Sequence, residues 1–172
     1  MNRSLGMIIA AALVVTAVPA WAQTTLKVRP FGDLKTIDPM VTSDYMVRNH
    51  GYMIYDTLFA QDEKGAIKPQ MVQSFTTAPD GLTWTFVLRD GLKFHDGAPV
   101  LAKDVVASLA RWAVRDPMGQ MIKAIEKELV AVDDKTVKWV LSKPFPKMKF
   151  ALGKNNTPIA GAYRGYGVVQ TY

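Results

Sequence analysis

The sequence predicts a mixed α and β fold, and three observations support this class. Stretches with the two-residue period of strands occur beside stretches with the 3.6-residue period of helices. Their order lacks the regular alternation of a doubly wound sheet. The 172 residues are 49% apolar and 21% charged, a composition typical of a globular chain that buries a core.

The first 22 residues have the features of a secretory signal peptide. A positive start containing Arg3 precedes an apolar run over residues 5–18, which is shorter than the roughly 20 residues that a membrane span needs. Pro19 and the small-residue site Ala20-Trp21-Ala22 follow, so we expect cleavage before Gln23 and export to a Gram-negative periplasm. An uncleaved N-terminal anchor is the alternative. The chain has no cysteine, so we expect neither disulfides nor a lipoprotein anchor.

The pattern of residues 23–58 predicts one strand, one turn and one helix. Apolar and polar side chains alternate over residues 25–29, which indicates a short strand that ends at Pro30. Asp38-Pro39 indicates a turn. Asp44 is a favourable N-cap residue, and the helical spacing of apolar side chains after it predicts a helix from about residue 45 to 58.

The middle of the chain predicts extended structure. Residues 62–65 form a predicted turn between two short extended pieces, and Pro69 begins a second passage toward Phe75. The period-two pattern over residues 82–94 predicts two strands. Asp90-Gly91 between them predicts a type I′ turn, so we expect a hairpin here.

The second half of the chain predicts two helices and another hairpin. An apolar stripe over residues 102–113 indicates an amphipathic helix, and residues 119–127 predict a shorter one. Strands are expected over residues 129–132 and 136–141, about a turn at 133–135.

Charge is distributed unevenly along the chain. Residues 23–100 carry 8 basic and 9 acidic side chains, whereas residues 101–172 carry 12 and 6. This excess suggests an alternative function, in which an exported, non-catalytic interaction module binds a membrane or a polymer through its basic C-terminal half. The lysines considered for that surface are Lys143, Lys147, Lys149 and Lys154. No nucleic-acid motif accompanies the charge, so we expect no nucleic-acid partner.

Motifs for catalysis and for cofactors are absent from the sequence. It contains no G-x-S-x-G turn, no H-E-x-x-H helix and neither of the common glycine-rich phosphate loops. The two histidines, His50 and His95, lie 45 residues apart without cysteines that could complete a zinc site. We therefore expect no enzyme activity, no cofactor and no metal site.

A resemblance to one family is carried by residues 69–112, which read PQMVQSFTTAPDGLTWTFVLRDGLKFHDGAPVLAKDVVASLARW. This stretch resembles the signature region of the family 5 extracellular solute-binding proteins, the dipeptide, oligopeptide and nickel binding components of ABC importers. Further similar motifs lie on both sides of it: Ile37-Asp38-Pro39, Tyr55-Asp56-Thr57-Leu58, Val132-Asp133-Asp134-Lys135-Thr136 and Pro144-Phe145.

The resemblance implies a two-lobed type II periplasmic binding protein fold, of which residues 23–158 would supply the first-lobe segment and an extra subdomain. It implies a monomer that closes around a small peptide or similar solute and docks on an importer permease at the inner membrane. Family members are several times longer, so we expect a truncated N-terminal portion. Residues 159–172, rich in glycine and tyrosine, match nothing that we associate with the family.

Two positions depart from the family pattern. Phe75 stands where the family usually has tryptophan, and Leu101 stands where a threonine caps the following helix. The cap of that helix must therefore come from another group or be lost.

The candidate ligand-binding residues lie in two segments, each consisting of a loop and the start of a predicted helix. The first segment offers a carboxylate and a guanidinium that could bind the charged termini of a peptide. Each set has an alternative role as helix caps and solvated charge. The candidates are Thr42, Asp44, Tyr45 and Arg48 in the first set, and Asp116, Met118 and Gln120 in the second.

Overall fold

The computed structural model describes residues 25–30, 32–42 and 44–155, together with the backbone of residues 169–170. The predicted signal peptide lies outside the described residues. The chain divides into two units, residues 1–30 and 31–172, and all described helices and strands belong to the second. In chain order these elements are α1 Tyr45–Tyr52, β1 Phe59–Gln61, β2 Ile67–Pro69, β3 Val72–Thr77, β4 Thr83–Leu88, β5 Lys93–Phe94, α2 Ala102–Arg115, α3 Pro117–Ile125, β6 Glu126–Ala131, β7 Thr136–Leu141, α4 Met148–Gly153 and β8 Val169–Gln170.

A four-stranded antiparallel sheet in the order β3-β4-β7-β6 forms the framework of the second unit. The two-stranded pairs β1-β2 and β5-β8 complete the described sheets. Helix α2 packs against β6 and β7 and against α3, while α4 contacts β1 and β2. The mixed class predicted from the sequence is therefore confirmed.

The sheet buries one face. Trp84, Phe86 and Leu88 on β4 are buried while the residues between them are half exposed, which is the alternation expected of a strand with a single core face. On the neighbouring strand, Trp139 lies opposite Trp84 and is fully buried. The side of β4 that carries Trp84, Phe86 and Leu88 is thus the core face.

Aromatic side chains join the sheet to the smaller pair β1-β2. The ring of Phe59 meets the rings of Phe75 and Phe86 edge-on, at centroid distances of 5.4 and 5.9 Å. Phe75, which stands where the family usually has tryptophan, also has the Lys149 ammonium 5.1 Å from its centroid. This position therefore contributes an aromatic ring to the contact between the sheet and β1.

The predicted hairpin about Asp90-Gly91 is wrong. A turn is present and Gly91 has a φ of +79°, but no described residue other than glycine has a positive φ, so the turn is not type I′. Both edges of β4 already pair, with β3 and β7, so β4 has no free edge for a returning strand. β5 leaves the sheet and pairs with β8 instead.

The first predicted helix exists but ends six residues early. Helix α1 stops at Tyr52, after which the amides of Ile54 and Tyr55 both donate to the carbonyl of Gly51. Leu58, which we assigned to the helix stripe, is instead buried beside β1. Leu58 belongs to the hydrophobic core together with Phe59 of β1, so its burial follows from the extended segment and not from a helix face.

Residues 25–30 do not form the predicted strand. Leu26 and Val28 are 83% and 74% exposed, so neither face of this segment is buried. Alternation predicts a strand only where one face packs on a core, because a single extended segment has no hydrogen-bonding partner.

The other predicted elements are confirmed with shifted ends. The turns at residues 38–39, 62–65 and 133–135 are present, as are α2, α3, β6 and β7. In the last of these turns the Asp133 carboxylate accepts the amides of Lys135 and Thr136 at 2.8 Å, and these hydrogen bonds lower the pKa of Asp133. The predicted tail lies outside the described residues except for β8.

The motif Tyr55-Asp56-Thr57-Leu58 fixes the connection from α1 to β1. The Asp56 carboxylate accepts the Gln70 side-chain amide at 2.6 Å, and the Gln70 carbonyl oxygen accepts both the amide and the hydroxyl of Thr57. Tyr55 donates its hydroxyl to the carbonyl of Ile37 at 2.9 Å. Burial raises the pKa of Asp56, and the nearby Arg89 partly opposes this effect.

Helix α2 begins without a side-chain cap. Its N-cap residue is Leu101, whose side chain has no oxygen, and Asp104 supplies half of a capping box by accepting the amide of Leu101 at 2.9 Å. The amide of Ala102 donates to the carbonyl of Asp134 in the β6-β7 turn. The cap that the sequence lacks is therefore partly replaced by a tertiary contact.

Restoring a capping side chain at Leu101 should stabilise the protein. We expect Leu101→Thr to be more stable than Leu101→Ala by about 1 kcal/mol, since both lose the leucine but only threonine can accept an amide of the first turn. Urea unfolding of the two variants measures the difference. Equal midpoints would show that the tertiary contact of Ala102 already satisfies this helix end.

Asp56 should make stability depend on pH. Because its folded pKa is raised, its contribution is fully present below its unfolded pKa and is lost as pH rises through the folded pKa. Asn cannot ionise, so we expect the stability of Asp56→Asn relative to wild type to increase as pH rises from 3 to 7. Chemical unfolding across this range measures it, with the exposed Asp33→Asn as the matched control. A flat difference for Asp56→Asn would contradict the expectation.

Candidate functional site

One face of α1 carries three of the polar and aromatic side chains that could meet a ligand. Tyr45, Arg48 and Tyr52 are spaced i, i+3 and i+7, so they lie on one side of the helix, opposite the buried Val47 and Gly51. The Arg48 Cζ atom lies 4.2 Å from the centroid of the Tyr45 ring, within cation-π distance. We call Tyr45, Arg48 and Tyr52 the α1 face.

Tyr52 is a neutral phenol on this face at ordinary pH. Burial raises its pKa, and the positive charge of Arg48 opposes the shift. Its hydroxyl donates to the carbonyl of Lys154 at 3.1 Å. Tyr52 therefore fixes α1 to the end of α4.

Two further predicted residues shape the start of α1. The Asp44 Oδ1 atom accepts the amide of Met46 at 2.8 Å, and the Thr42 hydroxyl accepts the amide of Asp44 at 3.1 Å. These contacts are the capping role that was the alternative for both residues. A ligand contact by Thr42 or Asp44 stays a prediction.

Asp116 lies inside the protein. Its Oδ1 atom caps α3 by accepting the amides of Met118 and Gly119 at 2.8 and 2.9 Å. Its Oδ2 atom binds the Lys154 ammonium at 2.5 Å, and both side chains are at most 5% exposed. Both carboxylate oxygens are thus engaged within the fold, which gives Asp116 a structural role.

The other two residues of the second set have different environments. Met118 is half-buried and packs against the hydrophobic core. Gln120 is exposed, and its side-chain amide donates to the carbonyl of Val114 at 2.8 Å. The structure does not bring these two side chains onto the α1 face, and a ligand contact by either stays a prediction.

Lys154 connects Asp116 of the second set to helix α1, and sequence reasoning missed this role. Its ammonium binds Asp116 at the start of α3, and its carbonyl accepts the Tyr52 hydroxyl from α1. In the sequence it looked like one more surface lysine of a basic segment. No local pattern distinguishes a buried lysine from a solvated one, because the partner is 38 residues away.

A second ion pair connects α2 to the loop before α1. The guanidinium of Arg111 pairs with the Asp38 carboxylate and also contacts the sulfur of Met40. Asp38 belongs to the motif Ile37-Asp38-Pro39, so this motif is explained by the position of the loop relative to α2. The pair holds the approach to α1 in place.

A surface cavity of about 370 Å³ lies elsewhere, between the β4-β5 turn, the start of α2 and the β6-β7 turn. It contains none of the predicted site residues. Among the described residues, no helix is long and apolar enough to span a bilayer, and no group of three or more histidines and carboxylates is placed to bind a metal ion.

Comparison with protein families gives one match. The sequence model described as bacterial extracellular solute-binding proteins, family 5 Middle, matches residues 66–167. These residues include all four strands of the main sheet together with α2, α3 and α4.

Three similar proteins illustrate the relationship. A probable peptide ABC transporter periplasmic-binding protein of Sinorhizobium fredii is 40% identical over 112 residues, 65% of this chain and 21% of that protein. The glutathione-binding protein GsiB of Salmonella typhi is 34% identical over 134 residues, 76% of this chain and 26% of that protein. The periplasmic binding protein AgaA, solved in complex with agropinic acid, superposes with a TM-score of 0.63 at 32% identity, covering 76% of this chain and 27% of AgaA.

The chain therefore spans about a fifth to a quarter of the length of these relatives. The structural match to AgaA nevertheless covers three quarters of this chain. The expectation that the chain has part of the type II periplasmic binding protein fold is confirmed.

Removing the Lys154 ammonium should destabilise the protein strongly. Lys154→Met leaves the Asp116 carboxylate buried without its partner, and we expect a loss of about 3–5 kcal/mol in the free energy of unfolding. Lys147→Met, at the exposed residue that precedes α4, should change the free energy of unfolding by less than about 0.5 kcal/mol. Urea unfolding at pH 7 measures both.

The double variant Asp116→Asn, Lys154→Met separates the charge from the packing. It keeps an oxygen for the α3 cap and buries no charge, so it should recover a large part of the loss. A double variant as unstable as Lys154→Met would show that the loss comes from packing of the lysine.

Proposed function

The chain belongs to the family 5 bacterial extracellular solute-binding proteins, and we propose that it is the solute-capturing component of a peptide-type ABC importer. Its activity would be reversible binding without bond chemistry. The solute would be a small peptide or a similar compound, and the partner would be the importer permease at the inner membrane. The family match over residues 66–167 is the observation that carries this proposal.

The named ligands of the relatives support a small polar solute. One relative is named for peptide transport, another binds glutathione, and AgaA was solved with agropinic acid. The α1 face suits such solutes because it combines an aromatic ring, a guanidinium and the neighbouring carboxylate of Asp44. We propose that this face is the part of the chain that contacts the solute.

The periplasm is the proposed location. The relative from Sinorhizobium fredii is named a periplasmic-binding protein, and the first 22 residues have the charge, length and small-residue site of a secretory signal peptide. Mass spectrometry of the periplasmic protein should give a mature chain that begins at Gln23. A mature chain that retains residues 1–22 would favour an N-terminal anchor.

Membrane or polymer binding through a basic C-terminal half receives less support. Of the four lysines considered for that surface, Lys154 is buried against Asp116 and cannot meet a partner. Lys149 lies over the ring of Phe75. The remaining two side chains are ordinary exposed lysines, so the solute-binding proposal is favoured.

Ligand-induced stabilisation tests the proposed function. The DNA beyond the Tyr172 codon is read first, in all three frames, so that the complete gene is expressed. Thermal unfolding of the purified protein is then measured with and without a mixture of free di- and tripeptides. Binding at 100 times Kd should stabilise the folded protein by about 2.7 kcal/mol.

Two variants assign that binding to the α1 face. Tyr45→Ala should reduce the stabilisation by peptides, since it removes the exposed ring that supports Arg48. Val132→Ala, which removes an exposed apolar side chain beside the β6-β7 turn, should leave it unchanged. If no peptide raises the unfolding temperature of the wild-type protein, the proposed function is wrong.

A further inference from the structure

Among the described residues, Arg48 differs from Arg111 and Lys154 because no carboxylate pairs with it. The ion pairs formed by the described residues engage Arg111 and five lysines, and none of them includes Arg48. Within the part of the chain that the structure describes, the Arg48 side chain donates no hydrogen bond either. Its five N–H donors are therefore available to a ligand.

The surroundings of Arg48 prepare it for an anion. Its guanidinium carbon is 4.2 Å from the centre of the Tyr45 ring, which supports the charge and removes water from one side of it. The side chain is half-buried, so a charge-assisted hydrogen bond made there is screened less than at a fully exposed site. A stacked guanidinium keeps the planar fork of donors that matches a carboxylate in a bidentate pair.

The side chains of Asp44 and Tyr52, which neighbour Arg48, do not engage the N–H donors of its guanidinium. The Asp44 carboxylate uses Oδ1 to accept the amide of Met46 and forms no ion pair with Arg48. The Tyr52 hydroxyl donates its proton to the carbonyl of Lys154. Tyr52 thus holds α1 in position, while the donors of Arg48 are engaged by no described residue and are available to a ligand.

We propose that Arg48 binds a carboxylate of the solute, so that the protein selects carboxylate-bearing peptides and related acids over uncharged analogues. This inference rests on the proposed function, and it names the chemical group that the α1 face recognises. Tyr45 is a positioning residue in this arrangement, because its ring orients the guanidinium.

Matched peptide libraries test the inference in the protein expressed from the complete gene. The probes are an equimolar tripeptide library with free carboxyl termini and the same library as C-terminal amides, which lack the negative charge. Equilibrium dialysis followed by mass spectrometry measures how much of each library is retained. Wild-type protein should retain the free acids at least about tenfold better than the amides, given the strength of hydrogen bonds between charged groups.

Three variants identify Arg48 as the source of this preference. Arg48→Gln should lower retention of the acids by about tenfold or more and leave retention of the amides unchanged, so that the preference disappears. Arg48→Lys keeps the charge without the planar fork and should give an intermediate preference. Arg115→Gln removes an exposed arginine of α2 and should behave as wild type.

Each remaining outcome has a definite meaning. If wild-type protein retains both libraries equally, or if Arg48→Gln keeps the preference for acids, the inference about Arg48 is overturned while the proposed function stands. If neither library is retained, the proposed function falls and the inference falls with it. Thermal unfolding of Arg48→Gln at the wild-type temperature verifies that the variant is folded.

Discussion

Asp116 and Lys154 lie in the interior, where either charge alone would cost several kcal/mol. Each is therefore committed to the other, and their remaining hydrogen-bonding groups fix the neighbouring helices. Asp116 caps α3 with its second oxygen, and the backbone carbonyl of Lys154 accepts the Tyr52 hydroxyl from α1. Directional bonds thus hold α1, α3 and α4 together at one point, and the α1 face is positioned by this arrangement.

The sheet is organised by a different kind of force. β4 pairs on both edges and buries Trp84, Phe86 and Leu88 on one face, so its position follows from apolar burial and the hydrogen bonds of two neighbours. Apolar burial is less directional than an ion pair. The edge-on contacts of the Phe59 ring with Phe75 and Phe86 therefore position β1 against the sheet. The segments before and after α1 are held in place by the Asp38–Arg111 pair and by the hydrogen bond between Asp56 and Gln70.

Much of the family resemblance is explained by these structural contacts. In the motif Tyr55-Asp56-Thr57-Leu58 each side chain either makes a tertiary hydrogen bond or is buried. The side chains that we propose for solute contact are instead exposed or half-buried ones on α1, outside the matched residues 66–167. The family match therefore supports the class of function, whereas the choice of solute depends on individual side chains that this match does not include.

The sequence by itself determined the mixed class, the helices α2 and α3, the hairpin of β6 and β7 and the family, because these depend on local periodicity and on a continuous motif. It also singled out Tyr45 and Arg48 as candidate ligand-binding residues, but not Tyr52, the third residue of the α1 face. Only the tertiary structure decided that β4 pairs with β7 instead of β5, that α1 ends at Tyr52, and that Lys154 is an interior residue. These outcomes depend on partners distant in the chain, and local pattern cannot reveal which edge is already occupied or which charge meets a buried carboxylate.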